Sequence, residues 1–447
     1  MQSFLFLLLT LAILVVVHEF GHFWVARRCG VKVLKFSVGF GKPLWSRTGR
    51  DGTEYIVAAI PLGGFVKMLD EREGEVADED LDKAFNRKSL RARVAIVAAG
   101  PVANLLFAII AYWLIFVLGI PGIRSVIDEV APDTPAAYAQ IVAGDEIIAI
   151  DGRDTPTWSS VYRALSKHAE MGAIAKMTIN SGGTEIDRQL DIPKLGLASA
   201  TSKPLLQQLG LSPVRVKLKP VIASVVKTGA AEKAGLNVGD LILSVDDEII
   251  DDWNGFVKLV QKSANKQLNI RIKRGLQIKT LLITPIGSDD GVGKIGARVE
   301  SAQIDLPPEL QAVERYGWGA AIGKATYETW SFSVSTLKSL AGMLTGKVSS
   351  ENIGGPITIA QYAGASADRG LISFISFLAM ISISLGLLNL LPIPILDGGH
   401  LALYLIEWLR GAPLSEQAQI QGQKVGVIIL LMLMFLAFFN DLTRLFG

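Results

Sequence analysis

Cysteine and histidine are scarce in this chain, and so is charge of either sign. Of 447 residues, one is cysteine (Cys29) and four are histidine. A single cysteine excludes an intrachain disulfide framework and a cysteine-rich zinc finger. Charged residues make up 19% of the chain, whereas soluble domains carry about 25%. The 44 basic and 42 acidic residues leave a net charge of +2, which argues against nucleic acid as a partner.

Hydrophobic residues make up 50% of the chain and are concentrated in four long runs. A membrane-spanning helix needs about 20 predominantly apolar residues. Three runs meet this length, and the fourth meets it together with its polar flank. The sequence therefore predicts a polytopic α-helical membrane protein with soluble structure inserted between its spans. The four transmembrane helices are predicted at 1–27, 94–120, 371–396 and 424–441.

The basic residues indicate how these spans are oriented. Arg27 and Arg28 follow the first run and no basic residue precedes it, which distinguishes the run from a cleaved signal peptide. Lysine and arginine are frequent throughout 28–93, so the positive-inside rule places that segment in the cytoplasm. Both termini and the long connection after the second span are then expected on the opposite side of the membrane.

The connection between the second and third spans contains a duplication. The segment AAYAQIVAGDEIIAID (Ala136–Asp151) aligns with AEKAGLNVGDLILSVD (Ala231–Asp246) when their Gly-Asp pairs are superposed. Each copy reads as a short helix, a Gly-Asp turn and a strand. The pattern resembles PDZ domains of the permuted bacterial kind, which have a mixed α/β fold. We place the two predicted PDZ domains at 121–212 and 213–305.

A later loop in each copy resembles the carboxylate-binding loop of PDZ domains. The loops are Leu209-Gly210-Leu211 and Ile295-Gly296-Ala297. A PDZ module binds an extended peptide at a sheet edge, so Gly210 and Gly296 are candidate peptide-binding residues. Ala297 is small where a large apolar residue is usual, and two globular domains with a vestigial groove are the alternative interpretation.

The stretch 306–350 carries aromatic residues at helical spacing and few charges. We expect an amphipathic helical connector there. A helix lying on the membrane surface and a helix packed against the inserted domains are both consistent with this pattern.

An HExxH motif, His18-Glu19-Phe20-Gly21-His22, lies within the first predicted span. Residues at i and i+4 share one helix face, so both imidazoles can bind one Zn2+ ion, with Glu19 beside the water that the ion would hold. Ionisable side chains inside a span are costly and mark functional sites. The motif indicates a zinc hydrolase, and a proton relay in a transporter is the competing interpretation.

A zinc hydrolase needs a third protein ligand, and Asp397 is the best candidate. It lies in NLLPIPILDGG, after an uncharged stretch that begins at Leu371. Pro392 and Pro394 remove two backbone donors and break the helix just before it. Non-helical backbone at membrane depth is tolerated where it is buried in protein or lines a cavity. The alternative is a helix that ends at the membrane interface in an Asp-Gly turn.

Three motifs in successive spans give the chain a family resemblance. They are HEFGH, AAGPVANLLFA (Ala98–Ala108) and NLLPIPILDGG. Together they resemble the site-2 protease family of intramembrane zinc metalloproteases, and within it the bacterial members that carry two PDZ domains. The resemblance implies three zinc ligands, His18, His22 and Asp397, and a general base, Glu19.

The resemblance also implies how a substrate is held. Asn389, with Pro392 and Pro394 beside it, would help to hold the substrate segment. The segment 28–93 would contribute a short membrane-associated β element that contacts the substrate, and a simple cytoplasmic hairpin is the alternative. His400 receives no role from the resemblance.

Members of the family cleave the transmembrane segment of a single-span membrane protein, such as an anti-sigma factor, after another protease has trimmed its outer domain. The resemblance therefore implies a zinc endopeptidase embedded in the lipid bilayer of the bacterial inner membrane, with its PDZ domains and both termini in the periplasm. Its active site would lie toward the cytoplasmic side, because His18 is near the far end of the first span, and its tandem PDZ domains would filter substrates. A catalytically silent PDZ scaffold and a transporter are the other functions that the sequence leaves open.

Overall fold

The computed structural model divides the chain into two compact units. The membrane unit comprises Met1–Ile120 and Arg315–Gly447, and the insert comprises Pro121–Glu314. The described residues are 2–194, 204–214, 218–227, 229–288, 291–299, 307–346, 348–349, 354–412 and 415–446.

Among the described residues of the membrane unit, four helices are long and apolar enough to cross a membrane. They are span 1 (Gln2–Arg28), span 2 (Leu90–Leu118), span 3 (Leu371–Asn389) and span 4 (Glu416–Phe446). Span 2 begins after Ser89, whose side chain accepts a hydrogen bond from the Ala92 amide and so caps the helix. The chain is therefore a polytopic membrane protein, as its composition predicts.

Span 3 ends at Asn389, short of its predicted limit at 396. The chain then leaves the helical conformation until Asp397, where a separate helix begins, the aspartate helix (Asp397–Arg410). Pro392 and Pro394 have no backbone N–H to donate, which explains why span 3 does not continue through them. The break places Asp397 in the first turn of its own helix.

Spans 1, 2 and 3 pack closely because glycines lie where their backbones meet. Gly21 of span 1 lies against the backbone of Ala99, and a β-carbon at Gly386 of span 3 would come within 3.0 Å of the Pro101 carbonyl oxygen. Small residues are typical of close helix contacts in membranes. This packing brings the HExxH turn against span 2.

A β-hairpin follows span 1. Its strands, Val33–Thr48 and Glu54–Met68, form an antiparallel two-stranded sheet with a register break in the middle of the first strand. Gly39 and Gly41 lie at that break with φ of 94° and 89°, a backbone region that glycine adopts without a steric penalty. The segment predicted to hold a β element thus forms a bent hairpin beside span 1.

The predicted connector, 306–350, contains one long helix, the connector helix (Trp318–Leu344). The rings of Trp318 and Trp113 lie 5.4 Å apart, so the helix packs against span 2. The sequence suggests a helix on the membrane surface or against the inserted domains, and neither interpretation includes packing against span 2. The remaining elements of the membrane unit are the capped helix (Pro356–Asp368) and the 3-10 turns Asp78–Lys83 and Phe85–Arg87.

The insert contains two subdomains with the same strand order. The sheet of the first subdomain runs Arg153–Asp154, Glu146–Ile150, Ile174–Ser181, Thr184–Asp191. The sheet of the second runs Glu248–Ile249, Leu241–Val245, Leu268–Arg274, Gln277–Ile283. Each has a core of its own, one drawn from residues between Ile127 and Leu211 and the other from residues between Ile222 and Ile295. The duplication in the sequence is thus a duplication of fold.

Shorter elements complete the insert. Paired strands are Ile120–Ile123 with Gln311–Glu314, Ile127–Val130 with Leu211–Pro213, Ile222–Val225 with Ala297–Val299, and Ile286–Gly287 with Gly293–Lys294. Helices are Pro135–Tyr138, Trp158–Met171, Leu205–Leu209, Ala230–Lys233 and Trp253–Lys262, with a 3-10 turn at Pro308–Leu310.

Candidate metal centre

The three side chains predicted as metal ligands converge in the membrane unit. His18 and His22 lie one turn apart on span 1, and Asp397 begins the aspartate helix. The Nε2 atoms of the two imidazoles are 3.3 Å apart. Asp397 Oδ2 lies 3.2 Å from His18 Nε2 and 3.5 Å from His22 Nε2. Among the described residues, no other group of three or more histidine, cysteine or carboxylate side chains is close enough to hold a metal ion.

The three ligand atoms fit a tetrahedral zinc site. Zinc binds imidazole nitrogen and carboxylate oxygen at about 2.0–2.2 Å, and a tetrahedral arrangement then separates ligand atoms by about 3.3–3.6 Å. The observed separations of 3.2, 3.3 and 3.5 Å agree with this geometry. Three protein ligands leave a fourth position open for water or substrate, which is the pattern of a catalytic zinc site.

Each imidazole has a second contact that fixes its orientation. His22 Nδ1 lies 2.8 Å from the carbonyl oxygen of Ile96, so this nitrogen donates its hydrogen and Nε2 is left to bind a metal. His18 Nδ1 lies 3.2 Å from Asn104 Nδ2, while Asn104 Oδ1 is buried without a hydrogen-bond partner. A half-turn of this amide exchanges its two nearly indistinguishable atoms and gives the His18 Nδ1–H an acceptor. Asn104 then orients His18 as Ile96 orients His22.

Glu19 faces the same cavity as His22 and Asp397. The cavity has a volume of about 720 Å3, and His400 also lines it. The hairpin lies directly over Glu19, because a β-carbon at Gly64 would come within 2.9 Å of Glu19 Cγ. Glu19 therefore lies in the same cavity as two of the three candidate metal ligands.

The residues predicted to hold a substrate near the metal lie in different places. Asn389 is at the site, with Nδ2 3.3 Å from His18 Nε2. Pro394 packs against span 4, where Gly422 and Gly426 leave room for it. Pro392 is exposed in the loop before the aspartate helix. Of these three residues, Asn389 is the one with a contact to a candidate zinc ligand.

Gly210 and Gly296, the candidate peptide-binding residues, lie in the insert with φ of 79° and 75°. The Gly210 carbonyl accepts a hydrogen bond from the Ala131 amide at 3.0 Å, and the Gly296 carbonyl accepts one from the Val226 amide at 2.7 Å. Each loop is thus anchored within its own subdomain. Their role in peptide binding stays a prediction.

Two residues of the site, Gly100 and Asn104, receive no role from the sequence. Both lie in the AAGPVANLLFA segment of span 2. Gly100 lies against both imidazoles, since a β-carbon there would overlap them, and the Asn104 amide contacts His18. The available signal was a lone asparagine in an uncharged run, since polar side chains inside spans are costly and are kept for function.

Known proteins resemble the chain over nearly its whole length. Peptidase family M50 matches residues 6–433. A Salmonella typhimurium protein named regulator of sigma-E protease RseP is 45% identical over 440 residues, which cover 98% of each chain. The Escherichia coli protein of the same name is 43% identical over 442 residues, again 98% of each. A Vibrio cholerae protein assigned by its name to the zinc metalloproteases is 40% identical over 449 residues, 99% of each. Together with the HEFGH and NLLPIPILDGG motifs, this similarity establishes that the chain belongs to peptidase family M50, the site-2 protease family.

Proposed function

We propose that the chain is a zinc-dependent intramembrane endopeptidase of the bacterial inner membrane. The observation that carries the proposal is the triangle of His18 Nε2, His22 Nε2 and Asp397 Oδ2, with sides of 3.2 to 3.5 Å, next to Glu19. Membership of a peptidase family favours hydrolysis over transport. An open fourth position beside a carboxylate base suits an enzyme better than a catalytically silent scaffold.

Each of these residues has a role in the proposed hydrolysis. His18, His22 and Asp397 would hold zinc, which when bound supplies a Lewis acid for the scissile carbonyl and the attacking water. Glu19 takes a proton from that water while the water oxygen bonds to the carbonyl carbon. Glu19 then delivers the proton to the leaving nitrogen as the C–N bond breaks. The products are a new carboxylate and a new amine.

A helical substrate must be unwound before its peptide bond can react, because its carbonyls are already hydrogen-bonded within the helix. We propose that the strand Glu54–Met68 offers replacement backbone partners, since Gly64 lies against Glu19. The Asn389 amide, 3.3 Å from His18, would donate to a substrate carbonyl next to the reacting bond. Both groups would hold an extended segment beside the base.

The proposed substrate follows from the names of the relatives. Two of them are called regulator of sigma-E protease. We propose that this chain likewise acts in sigma-E regulation, on a single-span membrane protein of the anti-sigma-factor type whose outer domain another protease has already removed. The two subdomains of the insert, which we propose to be PDZ domains, would lie in the periplasm with both termini and would exclude untrimmed substrates.

Cleavage of a model single-span substrate by the purified chain tests the catalytic proposal. Cleavage should stop when a chelator is added and return with zinc. Glu19→Gln keeps both histidines, so the variant should retain zinc and lose nearly all cleavage. Asp397→Ala should lose zinc as well as cleavage, because two histidines leave the ion under-coordinated. Full activity of Glu19→Gln, or full zinc occupancy of a folded Asp397→Ala variant, would contradict the assigned roles.

Replacing Pro121–Glu314 by a short linker tests the filter. The membrane unit should still bind zinc, and it should now cleave an untrimmed substrate. A properly inserted variant that still rejects untrimmed substrate would overturn the filter. Slower cleavage of trimmed substrate would instead favour capture of its new C-terminal carboxylate by the loops of Gly210 and Gly296.

A further inference from the structure

The outer face of the second subdomain carries an exposed surface that is apolar and basic. At its tip, Leu276 lies in the turn between the strands Leu268–Arg274 and Gln277–Ile283, and its exposed fraction is 98%. Ile278 and Leu282 of the edge strand are exposed by 60% and 58%. Clusters of exposed large apolar side chains mark interaction sites.

Two basic side chains lie on the neighbouring strand, beside these apolar side chains. Lys273 pairs with Ile278 across the hairpin, and Arg271 lies two residues further along the same strand. Strand alternation places Lys273, Arg271, Ile278 and Leu282 on the outer face, because the intervening Ile272 is fully buried. In the part of the chain that the structure describes, neither cation has an ion-pair partner. The tip surface is therefore defined as Arg271, Lys273, Leu276, Ile278 and Leu282.

The first subdomain has the same hairpin without this surface. Counted from the turn, the positions of Leu276, Ile278 and Leu282 are occupied by Gly183, Glu185 and Gln189. The two cations are likewise replaced, Lys273 by Asn180 and Arg271 by Thr178. Because both hairpins form the same sheet, the fold does not require an apolar and basic tip. The second subdomain carries it for another reason.

We propose that the tip surface of the second subdomain docks on the membrane, with Leu276 in the interfacial region and Arg271 and Lys273 on anionic lipid headgroups. Apolar side chains that enter the headgroup boundary, flanked by cations that attract anionic lipid, are the pattern of interfacial binding. The insert is joined at both ends to the membrane unit, directly after Ile120 and directly before Arg315, so every molecule carries this surface on a membrane-anchored chain. Such a tether raises the effective concentration of the partner, so a small surface suffices.

A peptide added to the edge strand Gln277–Ile283 is the competing occupant. Such a partner would bind through backbone groups of the edge strand. It would have no specific need for a leucine at the tip of the turn or for cations on the neighbouring strand. The composition of the tip surface therefore favours the lipid.

Spin labels on the full-length chain in nanodiscs test the docking. The chain has one cysteine, Cys29, so Cys29→Ser gives a background without other labelling sites, provided that it retains zinc and cleaves a model substrate normally. Leu276→Cys then places a label at the tip, and Glu185→Cys places the control in the first hairpin, two residues beyond Gly183, the counterpart of Leu276. Accessibility is measured to oxygen, which partitions into the bilayer, and to a water-soluble nickel chelate.

In phosphatidylglycerol nanodiscs, the ratio of oxygen to nickel accessibility at 276 should exceed that at 185 several-fold. The ratio at 276 should fall toward that at 185 in phosphatidylcholine nanodiscs, and also in phosphatidylglycerol when Arg271→Glu and Lys273→Glu are added. Equal ratios at the two positions in both lipids would overturn the proposal. Exclusion of both reagents at 276 in both lipids would also overturn it, since that pattern indicates burial against protein. Neither result bears on the zinc site, so the docking can fail while the proposed function stands.

Discussion

Gly100 of span 2 lies directly against the imidazole of His22. A β-carbon at Gly100 would overlap His22 Nε2, and it would come within 2.6 Å of His22 Cε1 and 2.8 Å of His18 Cε1. The two rings therefore occupy the space into which any side chain at this position would project. A glycine on span 2 is what allows span 1 to present both Nε2 atoms to one metal ion.

Gly100→Ala should displace the imidazoles and weaken zinc binding. Alanine has a higher helix propensity than glycine, so span 2 itself should form normally and the damage should be confined to the site. A misplacement of about 1 Å in a catalytic site costs about 100-fold in rate, and we expect a loss of that order. Metal content and cleavage of a model substrate check this. Gly323→Ala is the matched control, because nothing lies within 4 Å of a β-carbon there. Equal metal content and equal cleavage in the two variants would contradict the steric explanation.

The candidate ligands of this site can be recognised in the sequence because each lies in a distinctive local pattern. HEFGH fixes the spacing of His18 and His22 on one helix face, and Asp397 is a carboxylate at the end of an uncharged run. Gly100 and Asn104 could not be assigned in the same way. Their contacts depend on how span 2 is rotated and shifted against span 1, and packing between helices sets that relationship, which no local pattern records.

The same distinction between local sequence patterns and packing between elements applies to the fold. The four spans follow from apolar length alone, and the duplicated subdomains follow from the repeated Gly-Asp segments. The partner of the connector helix does not follow, because aromatic residues at helical spacing fit a membrane surface, the insert or span 2 equally well. In the structure, the contact between Trp318 and Trp113 identifies span 2.

Asn104→Leu should weaken zinc binding without unfolding the membrane unit. Leucine has a similar size but removes the amide beside His18 Nδ1, so the ring loses the partner that orients it. Removing such a partner of a metal-bound histidine typically costs about 10–100-fold in metal affinity. Competition with a chelator of known affinity measures this effect independently of cleavage.

Asn104→Asp serves as the rescue variant for that experiment. A carboxylate oxygen is an ordinary partner for a metal-bound histidine, so zinc affinity should stay near that of the unaltered chain. If the leucine and aspartate variants lose affinity equally, Asn104 acts through packing and does not orient His18.

Asp240 should make the second subdomain sensitive to acid. Its buried carboxylate accepts two hydrogen bonds from Arg274, each 2.7 Å, and one from the Asn237 amide at 2.8 Å. Burial alone would raise the pKa of Asp240, but these hydrogen bonds outweigh it and lower the pKa below its ordinary value. The stabilisation is therefore complete above the pKa of an unfolded aspartate, about 3.9, and is lost as the pH falls through the lower folded value.

Hydrogen exchange of the strand Leu241–Val245 as a function of pH measures this stabilisation. At neutral pH, Asp240→Asn should lower local stability by about 1.5–3 kcal/mol, the range for hydrogen bonds to a charged group, and it should flatten the pH dependence in the acid range. Asp145→Asn is the matched control in the first subdomain, where the carboxylate accepts from the Val142 amide at 2.9 Å but serine replaces the arginine, at Ser181. If Asp145→Asn lowers local stability as much as Asp240→Asn does, the hydrogen bonds from Arg274 contribute little to the stability of the second subdomain.

Asp441 should hold the start of the capped helix in place. Its carboxylate, at the far end of span 4, accepts from the amides of Gly355 at 2.9 Å, Ile357 at 2.8 Å and Thr358 at 3.2 Å. These amides have no partner within their own helix, as is usual for a helix N-terminus.

Asp441→Ala should therefore leave buried donors unsatisfied, at a cost of about 1–3 kcal/mol. Asp441→Asn should recover part of this stability through its remaining oxygen. Deuterium uptake at the start of the capped helix should rise in the alanine variant and stay unchanged in Thr443→Ala, whose hydroxyl donates to carbonyls of span 4 itself. Zinc content should be unaffected in all three variants, because no candidate zinc ligand lies on the capped helix or on span 4. Unchanged deuterium uptake in Asp441→Ala would show that contacts other than the Asp441 carboxylate fix the capped helix to span 4.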